Sequence, residues 1–398
     1  MALYLFNIFT MTKLCVIGFT GHFYQKETGI QVETEGVRQY LETLDSQFAE
    51  SIYFGRTGGD DRQNTTPVDI EDERLFPNRD ATVFQFALDY IRNLLIIFRN
   101  IQRRDTVSLL FLPGPLSLLL GVPVSIMSHR TVLYYMSDPE KLSRNMSDIS
   151  LLSKVKTTLY IHSNRFLNGR ADAILYRDEG VLKYTDERRT ITERSQPIIS
   201  INQADLQTQD DTCQDPPISV LYVGKLSKRK GVDQLIAAFN TIYTALDIEV
   251  KLVIVGDGPM MGELLSTAKK NKIKDNVEFK GHIADKDKLL NIYRGADIFV
   301  LPSKKEGFPR VLTEAMSQSL PVITTPVGEI PRQIDDSEEA LLVSPNSQED
   351  ISDAIMQVLN DDELRKSLIK NGHDKSKELV LPSAGDQHAK IIKSVADQ

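Results

Sequence analysis

Asp297 to Glu314 reads DIFVLPSKKEGFPRVLTE. An uncharged run, Ile298–Leu301, leads into a short loop, Pro302 to Lys305, and a helical pattern opens at Arg310. Strand, loop and helix in this order form the unit from which parallel sheets are built. The first N–H groups of a helix lack partners within it, and the helix dipole adds partial positive charge there. Such a terminus suits a phosphate, and Gly307 lets a ligand come close to the main chain. Glu306 precedes the helix and Glu314 lies in its second turn. A carboxylate at either place can accept hydrogen bonds from vicinal hydroxyls, as on a sugar or a ribose. Taken alone, two such glutamates more often cap a helix and face water.

The same alternation extends on both sides, with short uncharged runs between longer amphipathic ones. In the second half it predicts strands at Ser219–Val223, Lys251–Val255, Val277–Lys280, Ile298–Leu301 and Pro321–Thr324. Helices are predicted there at Val232–Leu246, Met260–Asn271, Asp285–Arg294, Arg310–Ser317 and Gln348–Asn360. In the first half it predicts strands at Leu14–Gly18, Ser51–Phe54, Ser108–Leu112, Val122–Met127 and Ala173–Tyr176, and helices at Val32–Leu44 and Phe84–Arg104. Gln207 to Pro217 (QTQDDTCQDPP) is polar, acidic and proline-ended, which is linker composition. The expected organisation is an α/β domain over residues 1–206, a linker over 207–217, a second α/β domain over 218–380 and a terminal helix within 381–398.

Two further loops carry chemistry. GKLSKRKG (224–231) follows the strand Ser219–Val223 and places Lys225, Lys228, Arg229 and Lys230 beside its C-terminal end. Ligands of open α/β sheets bind at that edge, and clustered cations suit a pyrophosphate. An isolated basic loop, however, is usually only solvated. VGDGP (255–259) is another strand-to-helix turn, weak by itself as a nucleotide signal.

Together GKLSKRKG, VGDGP, FKGHI (279–283), LLNIYRGADIFVLPSKKEGFPRVLTEAM (289–316) and PVITTPVGEIP (321–331) resemble glycosyltransferase family 4, retaining enzymes of the GT-B fold. The resemblance is strong from about Ser219 to Asp335 and looser before it. It implies two Rossmann-like parallel-sheet domains facing a cleft, the N-terminal one for the acceptor and the C-terminal one for the donor. The final helix would cross back near Leu381–Pro382. The resemblance gives Glu306 to the donor sugar, as a catalytic residue, and Glu314 to the ribose. Main-chain groups of Gly307, Phe308 and Pro309 would line the sugar, and those of Val311 and Leu312 the phosphate. Gly224, Lys225 and Lys230 would bind the diphosphate. Lysine at 225, often arginine in relatives, keeps the charge without the bidentate fork.

VSIMSH (124–129) is similar to the family's strand ending in an active-site histidine, which implies a catalytic His129 at a strand's C-terminal end. Two departures stand out. In INQAD (201–205) Gln203 replaces the glycine of the family's Asn-Gly-x-Asp, and the expected acceptor-side loop Gly18 to Gln31 lacks the paired glycines of relatives. The implied reaction moves a hexose-type sugar from a nucleoside-diphosphate sugar to a glycan or lipid-linked acceptor, with retention. No cofactor is expected beyond the donor itself, and no metal, because no DxD carboxylate pair accompanies the cationic loop. The rival readings are a GT-B epimerase or phosphorylase, and a nucleotide-sugar binder without turnover.

The 398 residues suffice for two separate cores. A hydrophobic fraction of 41% with 26% charged residues is that of an ordinary globular protein. The net charge of -8 gives no support to a nucleic-acid partner. Cys15 and Cys213, the two cysteines, make neither a disulfide framework nor a zinc site, so a reducing, cytoplasmic compartment is expected. Met1 to Thr10 is apolar but lacks the basic start and cleavage site of a signal peptide, and Met11 offers an alternative start. Thr106 to Ser128 is uncharged and long enough for a bilayer, but Pro113, Gly114, Pro115, Gly121 and Pro123 break it. It reads as strand, turn, short helix, turn, strand. Phe84–Arg104 and Leu151–Arg170 mix apolar and basic residues, which leaves two alternatives open. These segments are either helices packed on the sheet and facing water, or a peripheral contact with the inner face of a membrane.

Overall fold

The structure, a computed structural model, describes residues 13–26, 29–32, 35–57, 66–67, 72–76, 95–99, 101, 105–112, 115–136, 151–177, 179–185, 189–196, 198–199, 201–380 and 383–398. The chain divides into two units, Met1–Ile198 with Pro382–Gln398, and Ile199–Leu381.

The first unit contains β1 (Lys13–Lys26), β2 (Gly29–Val32), β3 (Glu50–Thr57), β4 (Thr66–Pro67), β5 (Asp72–Phe76), β6 (Thr106–Leu112), β7 (Arg130–Tyr135), β8 (Ala173–Tyr176) and β9 (Ile191–Arg194). Its helices are α1 (Glu35–Gln47), α2 (Pro115–Met127) and α3 (Leu151–Asn168). Strands β5-β3-β1-β6-β7-β8-β9 pair in parallel, and β2 and β4 add an antiparallel extension beyond β1. Successive side chains enter opposite cores, as the pleat requires. Leu14, Val16, Leu109 and Phe111 join one cluster, and Cys15, Ile17, Leu110 and Leu112 the other.

Three expectations for this unit are corrected. Val122–Met127 is the end of helix α2, not a strand, and the strand is β7, which starts only after His129. A short apolar run does not by itself distinguish a buried strand from a buried helix. The ladder positions beside β6 and β8 are taken by Arg130–Tyr135. Thr106 to Ser128 is therefore one strand and one helix of 13 residues, and among the described residues no helix is long and apolar enough to cross a membrane. The described residues of Gly18 to Gln31 are not a loop: β1 runs on through Lys26, and Gly29 to Gln31 belong to β2, paired antiparallel with it. Residues 95–99 and 101 of the expected helix Phe84–Arg104 are helical, and its remainder lies outside the described residues, as does Met1 to Thr10.

The second unit contains β10 (Ile218–Val223), β11 (Val250–Val255), β12 (Val277–Gly281), β13 (Ile298–Leu301), β14 (Val322–Thr324) and β15 (Leu341–Leu342). Its helices are α4 (Val232–Ala245), α5 (Met261–Lys270), α6 (Lys286–Arg294), α7 (Arg310–Ser317), α8 (Gln348–Asn360) and α9 (Asp362–Val380). All strands run parallel in the order β12-β11-β10-β13-β14-β15. Every residue of β10 and β13 is buried, as strands covered on both faces must be. The chain moves outward from β10 to β12, then returns to the other side of β10 as β13. The crevice between β10 and β13 is thus the switch point of the sheet, where ligands of such folds bind beyond the C-terminal strand ends.

Gln207 to Pro217, expected to be a linker, is laced onto the second unit. Asp211 takes a bidentate pair from buried Arg365 of α9, at 2.6 and 3.1 Å. Asp297 accepts from the Cys213 and Ser219 amides, both at 2.8 Å, so one carboxylate just before β13 fixes this segment and the start of β10. Gln203 sits in a short 3-10 turn capped by Asn202, whose side chain accepts from the Ala204 and Asp205 amides. That turn needs no glycine, which accounts for the substitution.

The terminal helix α10 (Ala384–Ala396) packs on the first unit behind a Ser383–Asp386 capping box. His388 is fully buried there, with Tyr40 Oη 2.7 Å from Nδ1 and Ser195 Oγ 2.7 Å from Nε2. Ser195 already donates to the Gln196 carbonyl, so Nε2–H donates to Ser195 and Tyr40 donates to Nδ1. The ring is neutral, and burial pulls its pKa down to about 3. The unfolded chain takes up this proton near pH 6.5 and the folded one does not. Stability is therefore full above pH 6.5 and falls by about 1.4 kcal/mol per pH unit on acidification toward 3. Thermal unfolding between pH 7 and 4 should show this slope in the wild type and a shallower one in His388→Gln.

Candidate functional site

At the C-terminal edge of the second sheet, the loops leaving β10, β11, β13 and β14 interlock through main-chain bonds. Leu226 N–H donates to Asp257 O at 2.9 Å, Lys304 N–H to Arg229 O at 2.7 Å, and Glu329 N–H to Gly307 O at 3.0 Å. Gly231 closes the β10 loop in the left-handed region, φ 68°. A Cβ there would lie 2.1 Å from the Pro302 carbonyl oxygen, so only glycine lets the β10 and β13 loops touch.

That closeness brings Lys230 and Glu306 together across 76 residues of sequence. Lys230 Nζ donates to Glu306 Oε1, and Ser303 Oγ donates to the same oxygen at 2.7 Å. The two side chains are 10% and 7% exposed, so solvent screens the pair far less than it would a surface pair. Glu306 Oε2 makes no hydrogen bond among the described residues and is left for a ligand. Lys225 is exposed on the same loop, without an ion-pair partner among the described residues. Gly224 precedes it at the end of β10.

Helix α7 begins at Arg310, behind Pro309 in extended conformation and without a side-chain cap. Leu312 N–H turns back to Pro309 O at 3.1 Å, while the Arg310 and Val311 amides have no partner among the described residues. Gly307 is exposed with open space around it, whereas Phe308 and Pro309 are buried beneath it. One turn along α7, Glu314 accepts from Tyr293 Oη through Oε2 at 3.0 Å. Burial raises its pKa above the usual carboxylate range, opposed by Arg310, the Tyr293 hydroxyl and Lys286. The arrangement offers cations and open amides for a diphosphate and two carboxylates for hydroxyls, all at the switch point.

The structure thus gathers Gly224, Lys225, Lys230, Glu306, Gly307, Phe308, Pro309, Val311, Leu312 and Glu314 at one edge of one sheet. His129 is not placed as expected. It is exposed in a bend just before β7, at the N-terminal edge of the first sheet. The parallel strands of that sheet end at the opposite edge, where β7 leads into Met136. The catalytic reading of His129 required a strand's C-terminal end and falls with the strand Val122–Met127. Ser303 and Tyr293 were not singled out from sequence. Each is a hydroxyl that acts through a glutamate, and neither sits in a motif whose spacing marks it.

Residues 206–375 match the family model described as glycosyl transferases group 1. An uncharacterized glycosyltransferase of Methanocaldococcus jannaschii is 34% identical over 177 residues, which are 44% of this chain and 48% of that protein. The chain thus matches about half of that curated relative's length. Among solved structures, sucrose-phosphate synthase from Thermosynechococcus elongatus superimposes with a TM-score of 0.68 at 18% identity, over 96% of this chain and 99% of that one. HepE of Anabaena, solved in complex with UDP, gives 0.66 at 14% identity, over 96% and 100%. Both likenesses concern the fold, which is that of GT-B glycosyltransferases.

Proposed function

We propose that this chain, whose residues 206–375 match the group 1 glycosyl transferase family model, transfers a hexose-type sugar from a nucleoside-diphosphate sugar to a glycan or lipid-linked acceptor, retaining the anomeric configuration. The observation that carries the reading is the shielded Lys230–Glu306 pair at the β10/β13 switch point, beside the open start of α7. In this reading the diphosphate lies between Lys225, Lys230 and the Arg310 and Val311 amides. Glu314 Oε1 accepts from the ribose, and Glu306 Oε2 accepts from a hydroxyl of the donor sugar. As the sugar–phosphate bond breaks, negative charge grows on the β-phosphate, where the lysines and the helix start are already oriented to receive it. In front-side attack a leaving-phosphate oxygen takes the acceptor's proton. The UDP bound by the Anabaena neighbour supports a uridine nucleotide as the first donor to try.

The lysines and the helix start supply the positive charge that a divalent ion supplies in other transferases, so activity is expected to survive chelation. The test is diphosphate release from a panel of nucleotide sugars, with and without EDTA. Turnover of at least one donor, unchanged by EDTA, is the expected result. No release from any donor would overturn the transferase reading, and activity lost to EDTA and restored by Mg or Mn would overturn metal independence.

A further inference from the structure

In both glutamates of the site, one carboxylate oxygen is tethered by a hydroxyl of the protein and the other is left open. Ser303 holds Glu306 Oε1 together with Lys230, and Tyr293 holds Glu314 Oε2. The Tyr293 case is the more telling. Its ring is fully buried between α6 and the sheet, packed against Phe299 of β13 with centroids 5.8 Å apart. A buried phenol needs a partner for its hydroxyl, and here the partner is a carboxylate of the proposed nucleotide site.

We propose that Tyr293 is a positioning residue for nucleotide binding: its hydroxyl fixes Glu314 and keeps it ionised, with Oε1 aimed at the ribose hydroxyls. The inference rests on the reading of Glu314 given above. A carboxylate in a buried place is costly to ionise, and burial raises the pKa of Glu314. The groups that face it and favour its charge are Arg310 on its own helix, and Tyr293 and Lys286 on α6. Arg310 is exposed, and Lys286 is already paired with Asp205 at 2.6 Å. Among these favouring groups, Tyr293 is the one that hydrogen-bonds the carboxylate directly. The phenol itself stays protonated, since burial and the neighbouring carboxylate raise its pKa well above the ordinary value. It therefore acts as a donor throughout the physiological range. Its bond stabilises the ionised form of Glu314 and restricts the side-chain torsions, so less ordering is required when the ribose arrives.

The test is calorimetric binding of uridine diphosphate from pH 5 to 8 to the wild type, Tyr293→Phe, Glu314→Gln and the double variant. Titration of the nucleotide's own phosphate is common to all four and cancels in the comparison. Tyr293→Phe is expected to weaken binding about 10-fold at pH 7, roughly the worth of one hydrogen bond to a charged group. It should also move the acid limb of the affinity profile to higher pH. In the Glu314→Gln background the same change should cost less than 3-fold, because the two groups act as a unit. Replacing Tyr293 with 3-fluorotyrosine keeps the ring and strengthens the donor, so the acid limb should move to lower pH. This variant preserves the test if loss of the hydroxyl unfolds the protein. Wild-type affinity and an unmoved limb in both Tyr293 variants, with Glu314→Gln impaired, would overturn the role of Tyr293 alone. Wild-type binding by Glu314→Gln would instead overturn the ribose assignment on which it rests.

Discussion

Replacing Lys230 with alanine is expected to reduce turnover by about 10²–10³-fold, the usual cost of one preorganised group that meets developing charge. The same change should destabilise the second unit by about 3 kcal/mol, because it strands a mostly buried carboxylate. Both effects follow from one contact. Lys230 is tied to Glu306, and Ser303 alone cannot balance that charge. Lys225→Ala separates the roles. Lys225 is exposed and unpaired among the described residues, so its loss should weaken nucleotide binding and leave thermal stability nearly unchanged. Steady-state kinetics and thermal unfolding of both variants check this. Equal stability loss in the two, or wild-type turnover in Lys230→Ala, would contradict the assignment.

Gly231→Ala is expected to cost more stability still, upward of 4 kcal/mol, and to abolish activity. Its backbone is left-handed at φ 68°, and the new Cβ would stand 2.1 Å from the Pro302 carbonyl oxygen. Relief requires the β13 loop to retreat, and that loop carries Ser303 and Glu306. A flexible side chain could move aside cheaply, but a backbone carbonyl at the end of a buried strand cannot. Gly262→Ala is the control. It lies in helix α5 with nothing within 4 Å of the added carbon, so it should be neutral or slightly stabilising. Denaturant melts of the two variants check the contrast, and similar midpoints would contradict it.

The second sheet was legible in the sequence because its central strands, β10 and β13, are short, uncharged and fully covered. LYV before GKLSKRKG and IFVL before PSKKEGFP could hardly be read otherwise. The site loops were legible for the same reason, since each follows such a strand. What spacing could not give was the Lys230–Glu306 pairing across 76 residues, or the buried hydroxyls behind the glutamates. These depend on which strand lies beside which. Helix α9 was missed because DELRKSLIKNGHDKSKELV is rich in charge and contains Gly372. It is held instead by Asp361, which accepts from Leu364 N–H at 2.9 Å, and by buried Arg365 on Asp211. In the first unit, the β-branched residues of VPVSIM suggest a strand. The adjoining RTVLYY was the better candidate, with every position after Arg130 buried and a hydrogen-bonding partner on either side. That one exchange moved His129 from the C-terminal end of a strand to the beginning of another.

Under the proposed function, a nucleoside diphosphate binds at the β10/β13 switch point of the second unit. A crystal structure of the protein with uridine diphosphate tests it most directly. The expected structure has the diphosphate between the ammonium groups of Lys225 and Lys230 and the amides of Arg310 and Val311, with the ribose hydroxyls on Glu314 Oε1. A nucleotide bound elsewhere, with none of these atoms within hydrogen-bond distance, would contradict it.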